Sequence, residues 1–430
     1  MHLGDNARFA QEDCYPKRRC PSVIGMKGSV DVSMIFVAAL MLSCAACAFA
    51  EATPSQAYLD RMLAANKAAV GDLDRYVKCA DAAAELLVRD PDGPGPSLWL
   101  AGDRGFVTEA YNRAAGLMIA KRLADVSDVA AGDVVLVGSL YGYDEETETL
   151  LEGVAERDGL AVLFAPRPAQ TDAHHLFIDS HSDAPDESDL PTASPANAQS
   201  LWTFTGELVT AMMRRSGRTP PLFVSVLVPD GRERNNARKG MRWDPQNADA
   251  MPPGLAGRRY LARIANMMRE ERATQADEFA EAGRLSADVL HRGGTVWLST
   301  LGHLPPSQPE QVAEGEMPFT LLPGREPDRV SELVKPGDLV IYIGYYEPMG
   351  PWVETVHQAG AQIVTSVSGT PERPASAMGA DVNICGCWPY GDATIALTPA
   401  ETGLSMLPPS GVIQSAAFWM LLAENRRSAQ

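Results

Sequence analysis

Residues 336–343, PGDLVIYI, decide the fold, because nearly the same phrase stands at residues 131–138 as AGDVVLVG. In each, a glycine–aspartate turn leads into an unbroken apolar run, Leu339 to Ile343 and Val134 to Val137. A strand without polar alternation is one buried on both faces, as in a parallel sheet covered by helices. The two pairs, at Gly132 and Gly337, are 205 residues apart, and Gly206 and Gly411 repeat that spacing. A fixed offset of this kind predicts a duplicated unit.

Working outward, Tyr58 to Val88 has helical apolar spacing and ends at the Pro/Gly break Asp90 to Pro96. A short strand, Ser97 to Ala101, is followed by a predicted helix over Val107 to Leu123. Beyond the Gly132–Asp133 turn come a helix over Glu145 to Arg157 and a strand over Leu160 to Phe164. The order then recurs. Arg258 to Leu290 reads as one long helix, and Thr295 to Leu298 as a strand with Trp297 where the first copy has Trp99. Each copy is expected to close on a helix entered through a glycine, at Thr205-Gly206-Glu207-Leu208 and at Ser410-Gly411-Val412-Ile413. Such alternation places the chain in the α/β class. The copies fall at 51–220 and 258–430. Between them, 221–257 carries Arg232, Arg234, Arg238, Lys239 and Arg242. It reads as a solvated linker, with a basic flap over an anionic ligand as the alternative.

The second copy resembles the SIS (sugar isomerase) domain of phosphosugar isomerases and sugar-phosphate-responsive regulators. Gly337-Asp338-Leu339-Val340-Ile341 is similar to that family's G-D-[LV]-V-[IL] strand, and HQAGAQIVT at His357 to Thr365 to its next helix end and strand. Ala380-Asp381-Val382 matches its A-D-V strand. Asn383 to Ala393, NICGCWPYGDA, resembles an uncharacterised subfamily with N-x-G-x-P-x-G-D-A before a final apolar helix, here Val412 to Glu424. That subfamily ends its first strand in G-T-G-H-S-H, of which Gly302-His303 keeps the core. The resemblance implies two tandem SIS-type domains, each a parallel five-stranded sheet flanked by helices, the first copy degenerate. It also implies a carbohydrate derivative, a sugar or sugar phosphate, bound at the carboxyl ends of the strands. Such domains pair through their helices, which two copies can do within one chain, and a homo-oligomer is a further possible partner.

The family's second loop, S-x-S-G-x-T, surrounds phosphate with small hydroxyls. Here the loops read Gly138-Ser139-Leu140-Tyr141-Gly142-Tyr143-Asp144 and Gly344-Tyr345-Tyr346-Glu347-Pro348-Met349-Gly350. Only Ser139 remains as a small hydroxyl, and tyrosines and carboxylates would crowd and repel a phosphate. Two functions follow: a sugar or sugar-phosphate binder with possible aldose–ketose isomerase chemistry, or a non-catalytic binding or scaffold protein.

Isomerisation needs a base near the operating pH. His303 and Glu347 are the catalytic candidates, His303 serving otherwise as a loop histidine that satisfies backbone. Candidate ligand-binding residues are Ser299, Thr300 and Gly302 in the first loop of the second copy, and Ser366, Ser368 and Thr370 within SVSGT. Asp392 and Ser139 complete the set. The SVSGT hydroxyls also suit plain turn chemistry before Pro371, and Asp392 suits a cap. His174, His175, Asp179, His181 and Asp183 form a cluster from which a weaker reading, a metal-dependent hydrolase, is drawn; a polar loop is the plainer account. No nucleophile elbow, P-loop or dinucleotide fingerprint occurs, so no cofactor is expected.

The formal net charge of -18 argues against nucleic acid, whose phosphates need a basic footprint. Met34 to Ala50, MIFVAALMLSCAACAFA, with Lys27 before it and Ala48-Phe49-Ala50 at its end, reads as a signal peptide in region 1–50, with translation starting at Met26. The run is shorter than the ~20 residues of a membrane span. Export to the periplasm or cell exterior, without a stable membrane span, is therefore expected. Cleavage removes Cys14, Cys20, Cys44 and Cys47 and leaves Cys79, Cys385 and Cys387. Three thiols make no disulfide framework, and Cys385-Gly386-Cys387 reads as strand residues rather than a redox motif or zinc knuckle.

Overall fold

The computed structural model describes residues 51–93, 95–166, 175–323, 327–346, 351–370, 373–397 and 404–430. Residues 1–50, read above as a signal-peptide region with four cysteines, and His174, Glu347 and Pro371 lie outside the described residues.

Residues Ala52–Gln430 form one compact unit. The chain opens with α1 (Pro54–Gly71) and α2 (Leu73–Leu87), then β1 (Leu98–Gly102), α3 (Arg104–Ala110) and the edge strand β2 (Ala120–Arg122). Next come β3 (Val134–Gly138), α4 (Glu145–Ala155), β4 (Leu160–Ala165), β5 (His175–Asp179) and α5 (Ala193–Ser216). After α6 (Gly231–Arg238), the second run is α7 (Leu255–Thr274), α8 (Ala276–His291), β6 (Val296–Thr300), β7 (Thr320–Leu321) and α9 (Pro327–Leu333). It finishes with β8 (Leu339–Ile343), α10 (Trp352–Gln358), β9 (Gln362–Val367), β10 (Val382–Cys385), the ribbon β11 (Ile395–Ala396) and β12 (Ser405–Met406), and α11 (Ser410–Ser428).

Both large sheets are parallel and five-stranded, in the orders β2-β1-β3-β4-β5 and β7-β6-β8-β9-β10. The chain is therefore α/β with two parallel five-stranded sheets flanked by helices, the architecture that the resemblance implies. In each sheet the order in which strands are added reverses between the first and third strands, which opens a crevice at their carboxyl ends.

Burial explains the apolar runs. Val134, Leu136, Leu339, Ile341 and Ile343 join one core shared by both sheets and by α1, α2, α5, α7, α8 and α11. Val135 and Val137 face a separate outer cluster, and their counterparts in the second sheet, Val340 and Tyr342, face another. The two glycine–aspartate turns are equivalent in detail. Asp133 accepts from the backbone N–H of Ser97 and Ala130 and from the Trp99 indole at 2.7–3.0 Å. Asp338 does the same for Thr295, Lys335 and Trp297 at 2.9–3.0 Å. Each carboxylate ties its turn to the neighbouring strand.

Four expectations change. The helix foreseen over Tyr58 to Val88 breaks at Asp72, and that over Arg258 to Leu290 breaks at Gln275. The Gly206 match does not hold as a helix entry: Gly206 lies inside α5 and contacts Leu407, whereas Gly411 is in the first turn of α11. The predicted helix over Val107 to Leu123 stops at Ala110. There Asn112 and Ala115 take left-handed backbone angles, φ 51° and 65°, which non-glycine residues adopt only where surroundings impose them. The imposing partner is the segment at Pro221 to Phe223, bonded through Ala115 N–H to Phe223 O, Phe223 N–H to Gly116 O, and Met118 N–H to Pro221 O. No helix among the described residues is long and apolar enough to cross a membrane.

Candidate ligand site

Diverting the chain after α3 carries Arg113 out of its lobe and into the crevice of the second sheet. Arg113 is buried at 1% exposure, and its guanidinium donates to Asp392 at 2.7 Å, to the Ser410 hydroxyl at 2.6 Å and to Glu109 at 3.3 Å. It also lies 5.4 Å from the centroid of the Tyr345 ring. Asp392 in turn accepts from the Ser410 N–H and hydroxyl, at the start of α11. Burial works against the Arg113 charge, but Asp392, Tyr345 and Glu109 outweigh it and hold the group firmly cationic. Burial raises the carboxyl of Glu109 against the pull of Arg113 and the Trp202 indole, which donates to it at 2.9 Å.

Beside this cluster is a cavity of about 480 Å³. The second sheet supplies Leu301 and His303 after β6, Tyr345 and Tyr346 after β8, and Asp392 after β10. The first lobe supplies Asn112 to Ala114, and the segment between the lobes supplies Phe223 to Leu227, Arg232, Asn235 and Asn236. The exposed lining is chiefly apolar surface, to which Asn112, Arg232, Asn235, Asn236, His303 and Asp392 add polar groups. Tyr346 accepts from the Gly391 N–H at 3.2 Å, and Tyr390 donates to Leu227 O at 2.7 Å, so the loop before Asp392 is tied to the segment across the opening.

His303 is half-buried, and its Nδ1 meets Thr108 O at 3.0 Å. A carbonyl can only accept, so Nδ1 carries the proton and Nε2 keeps its lone pair. Burial, then the nearby Arg113 charge, lower the imidazole to about 4, against the opposing effects of the Thr108 bond and Asp392. At neutral pH this ring is an uncharged acceptor and a weak proton base.

Of the residues singled out in the sequence, the structure brings His303 and Asp392 to this cavity. Gly302 sits behind it, where a Cβ would come within 2.9 Å of Gln414 and Pro305. Ser299 and Thr300 belong to β6 and Ser366 to β9, within the sheet. The Ser368 hydroxyl donates to Trp388 O, and Thr370 Oγ1 accepts from Arg373 N–H at 3.0 Å, closing a turn. Ser139 lies in the crevice of the first sheet, about 490 Å³ in volume, with Asp103, Asp144 and Glu146; its Oγ accepts from Tyr141 N–H at 3.3 Å. In the histidine cluster, His181 bridges Asp179 and Asp72, Asp183 pairs with Arg61, and His175 stacks on Tyr143. Among the described residues no group of three His, Cys, Asp or Glu side chains is placed to hold a metal ion.

Sequence reasoning missed Arg113, Asn112 and Phe223. Arg113 reads as a surface charge on a helix, and its partner Asp392 is 279 residues away. Arg232 was visible only as part of a basic stretch. It lines the cavity with no acidic partner among the described residues. A second cavity of about 590 Å³ shares Asn112, Phe223, Asn235 and Asn236 with the first and adds Lys121, Arg122 and Lys239.

No family model and no curated protein matches this chain. Solved structures do resemble it. One is the C-terminal domain of glucosamine-fructose-6-phosphate aminotransferase from Francisella tularensis, at 10% identity and TM-score 0.42, covering 86% of this chain and 95% of that one. Another is tagatose-6-phosphate ketose/aldose isomerase from Escherichia coli, at 9% identity and TM-score 0.44, covering 88% and 92%. At these identities the likeness is one of fold alone.

Proposed function

We propose that the chain binds a carbohydrate derivative bearing an anionic group, in the cavity at the carboxyl ends of β6 and β8. The observation that carries this reading is the cavity's composition. Tyr346, Phe223 and Leu301 offer apolar faces to a sugar ring, His303 Nε2 offers an acceptor for a hydroxyl, and Arg232 offers a charge with no acidic partner among the described residues. Lys121, Arg122 and Lys239 in the adjoining cavity extend the positive side. In a chain of net charge -18, such a local patch is what an anionic ligand requires.

Binding without isomerisation is the better-supported form. A histidine lowered to about 4 accepts a carbon-bound proton poorly at neutral pH, and Asp392 is held by Arg113 and Ser410. A thermal-shift panel of neutral sugars and sugar phosphates tests the reading. A ligand at 100 times its Kd stabilises the folded state by about 2.7 kcal/mol. Phosphorylated sugars should raise the melting temperature more than neutral ones, and Arg232→Ala should remove that difference. A panel without any shift, or an Arg232→Ala variant with an unchanged preference, overturns it. Export remains part of this proposal on the strength of Met34 to Ala50, and mass measurement of the secreted chain should find Glu51 at its start.

A further inference from the structure

We propose that Cys385 and Cys387 form a thiol–disulfide exchange site that takes a low-molecular-weight disulfide, such as oxidised glutathione, as its oxidant. Residues two apart in an extended strand are separated by about 6.6 Å along the chain. Here the two sulfurs are 3.9 Å apart, because the chain leaves β10 at Cys385 and Cys387 turns into a left-handed conformation with φ 58°. The turn depends on Gly386, where a Cβ would collide with the Trp388 ring. Its front is pinned, with Cys385 N–H donating to Gln275 Oε1 at 2.7 Å and Gly386 N–H to Val367 O at 3.0 Å. Both cysteines are free and half-buried.

A second observation is independent of the loop. Glu271 in α7 is buried at 1% exposure, and neither of its carboxylate oxygens has a hydrogen-bond partner among the described residues. Its environment includes Cys385, whose field acts on it after burial itself. Buried carboxyls in folded proteins are rarely left unbonded, and those that are need a reason. Among the described residues these groups are not placed to hold a metal ion.

The two thiols are unequal. The Cys387 S–H donates to the Cys385 sulfur and to Cys385 O at 3.3 Å. That bond lowers Cys385 to about 7 and raises Cys387. Cys385 is thus the attacking thiolate and Cys387 the resolving thiol. The Cys385 thiolate attacks one sulfur of the small disulfide, forming a mixed disulfide and releasing one thiolate. That thiolate takes up a proton. Cys387 then loses its proton and attacks the Cys385 sulfur, releasing the second small thiol. The dithiol is oxidised by two electrons, and one small disulfide is reduced to two thiols.

The test uses the full chain and no carbohydrate, so it stands apart from the ligand reading. Reduced protein is equilibrated in mixtures of oxidised and reduced glutathione, quenched with acid, alkylated, digested and weighed. The peptide holding Cys385 and Cys387 should lose the mass of two hydrogens as the mixture becomes oxidising, while Cys79, buried and raised to about 11, stays reduced. Cys387→Ser should trap one glutathione on Cys385, and Cys385→Ser should form its adduct at least about tenfold more slowly. Full alkylation of both cysteines at every ratio, or faster capture by Cys387 than by Cys385, overturns the assignment. So does a disulfide that forms only in urea.

Discussion

His303 makes folding stability depend on pH with a sign and size that can be worked out. In the unfolded chain an imidazole titrates near 6.5; in the fold, burial and Arg113 lower His303 to about 4. At pH 7 both forms are nearly neutral and the difference hardly matters. As pH falls below 6.5 the unfolded state takes up a proton that the folded state refuses, so stability falls until about pH 4, where both are charged. From the shift of 6.5 to about 4, the loss between pH 7 and pH 5 is about 2 kcal/mol. His303→Gln preserves a donor for Thr108 O but has no titrating group. Urea unfolding of wild type and variant at both pH values measures the term, since all other carboxyls and histidines are common to the pair. Wild type should lose about 2 kcal/mol more than the variant. Parallel losses, within about 0.5 kcal/mol, or a histidine Cε1 resonance titrating near 6.5 that vanishes in the variant, would refute the buried neutral ring and its role as an acceptor.

Arg113→Met leaves Glu109 and Asp392 buried with no cation between them and should cost about 3–5 kcal/mol by urea unfolding; adding Asp392→Leu should recover part of that, and a single-variant cost below about 1 kcal/mol contradicts the network. Asp133→Ala and Asp338→Ala each remove a carboxylate serving three donors, so both should cost about 3 kcal/mol, with a difference below about 1 kcal/mol. A marked inequality would mean that the two turns are not equivalent supports. Burial raises Glu271 well above its ordinary range, so the folded state holds its proton longer than the unfolded one. Its contribution is therefore present below the unfolded carboxyl range and is lost as pH rises towards the folded value. Glu271→Gln should flatten that decline at pH values above the ordinary carboxylate range in unfolding curves, and an unchanged slope counts against a neutral Glu271.

The strands were legible because they are covered on both faces. Val134 to Val137 and Leu339 to Ile343 carry no polar residue to confuse the pattern, and their inner and outer side chains serve different cores. The glycine–aspartate pairs marked the turns, though their tie to Trp99 and Trp297 is not readable from spacing. Val107 to Leu123 failed for the opposite reason. Its apolar periodicity is local, while the hydrogen bonds that take Ala115 to Met118 away come from Pro221 to Phe223, remote in sequence. Propensity is a weak prior against such pairing. The site candidates suffered from a related assumption, that each copy completes its own pocket. His303 and Asp392 do line one cavity with Leu301, Tyr345 and Tyr346 of their own copy, but the other walls belong to the first lobe and to 223–236. Glu347 lies outside the described residues.

Why the two crevices, of nearly equal volume, differ in character follows from charge and from the path of the chain. The crevice of the first sheet presents Asp103, Asp144 and Glu146, and its Arg104 is turned to Glu310. In an acidic protein that crevice repels anions. The crevice of the second sheet receives two foreign pieces, the Asn112–Ala114 segment and the Arg232-bearing α6, which line it and bring Arg113 and Arg232 to it. Holding the first piece there means burying Arg113, and a buried ion cluster adds little net stability over an apolar packing of the same volume. Its effect is positional. Arg113 with only apolar neighbours would have no reason to leave the helix it was expected to extend. With Asp392 and Ser410 waiting across the crevice, the strained backbone at Asn112 and Ala115 is fixed in a single arrangement, and the cavity wall with it.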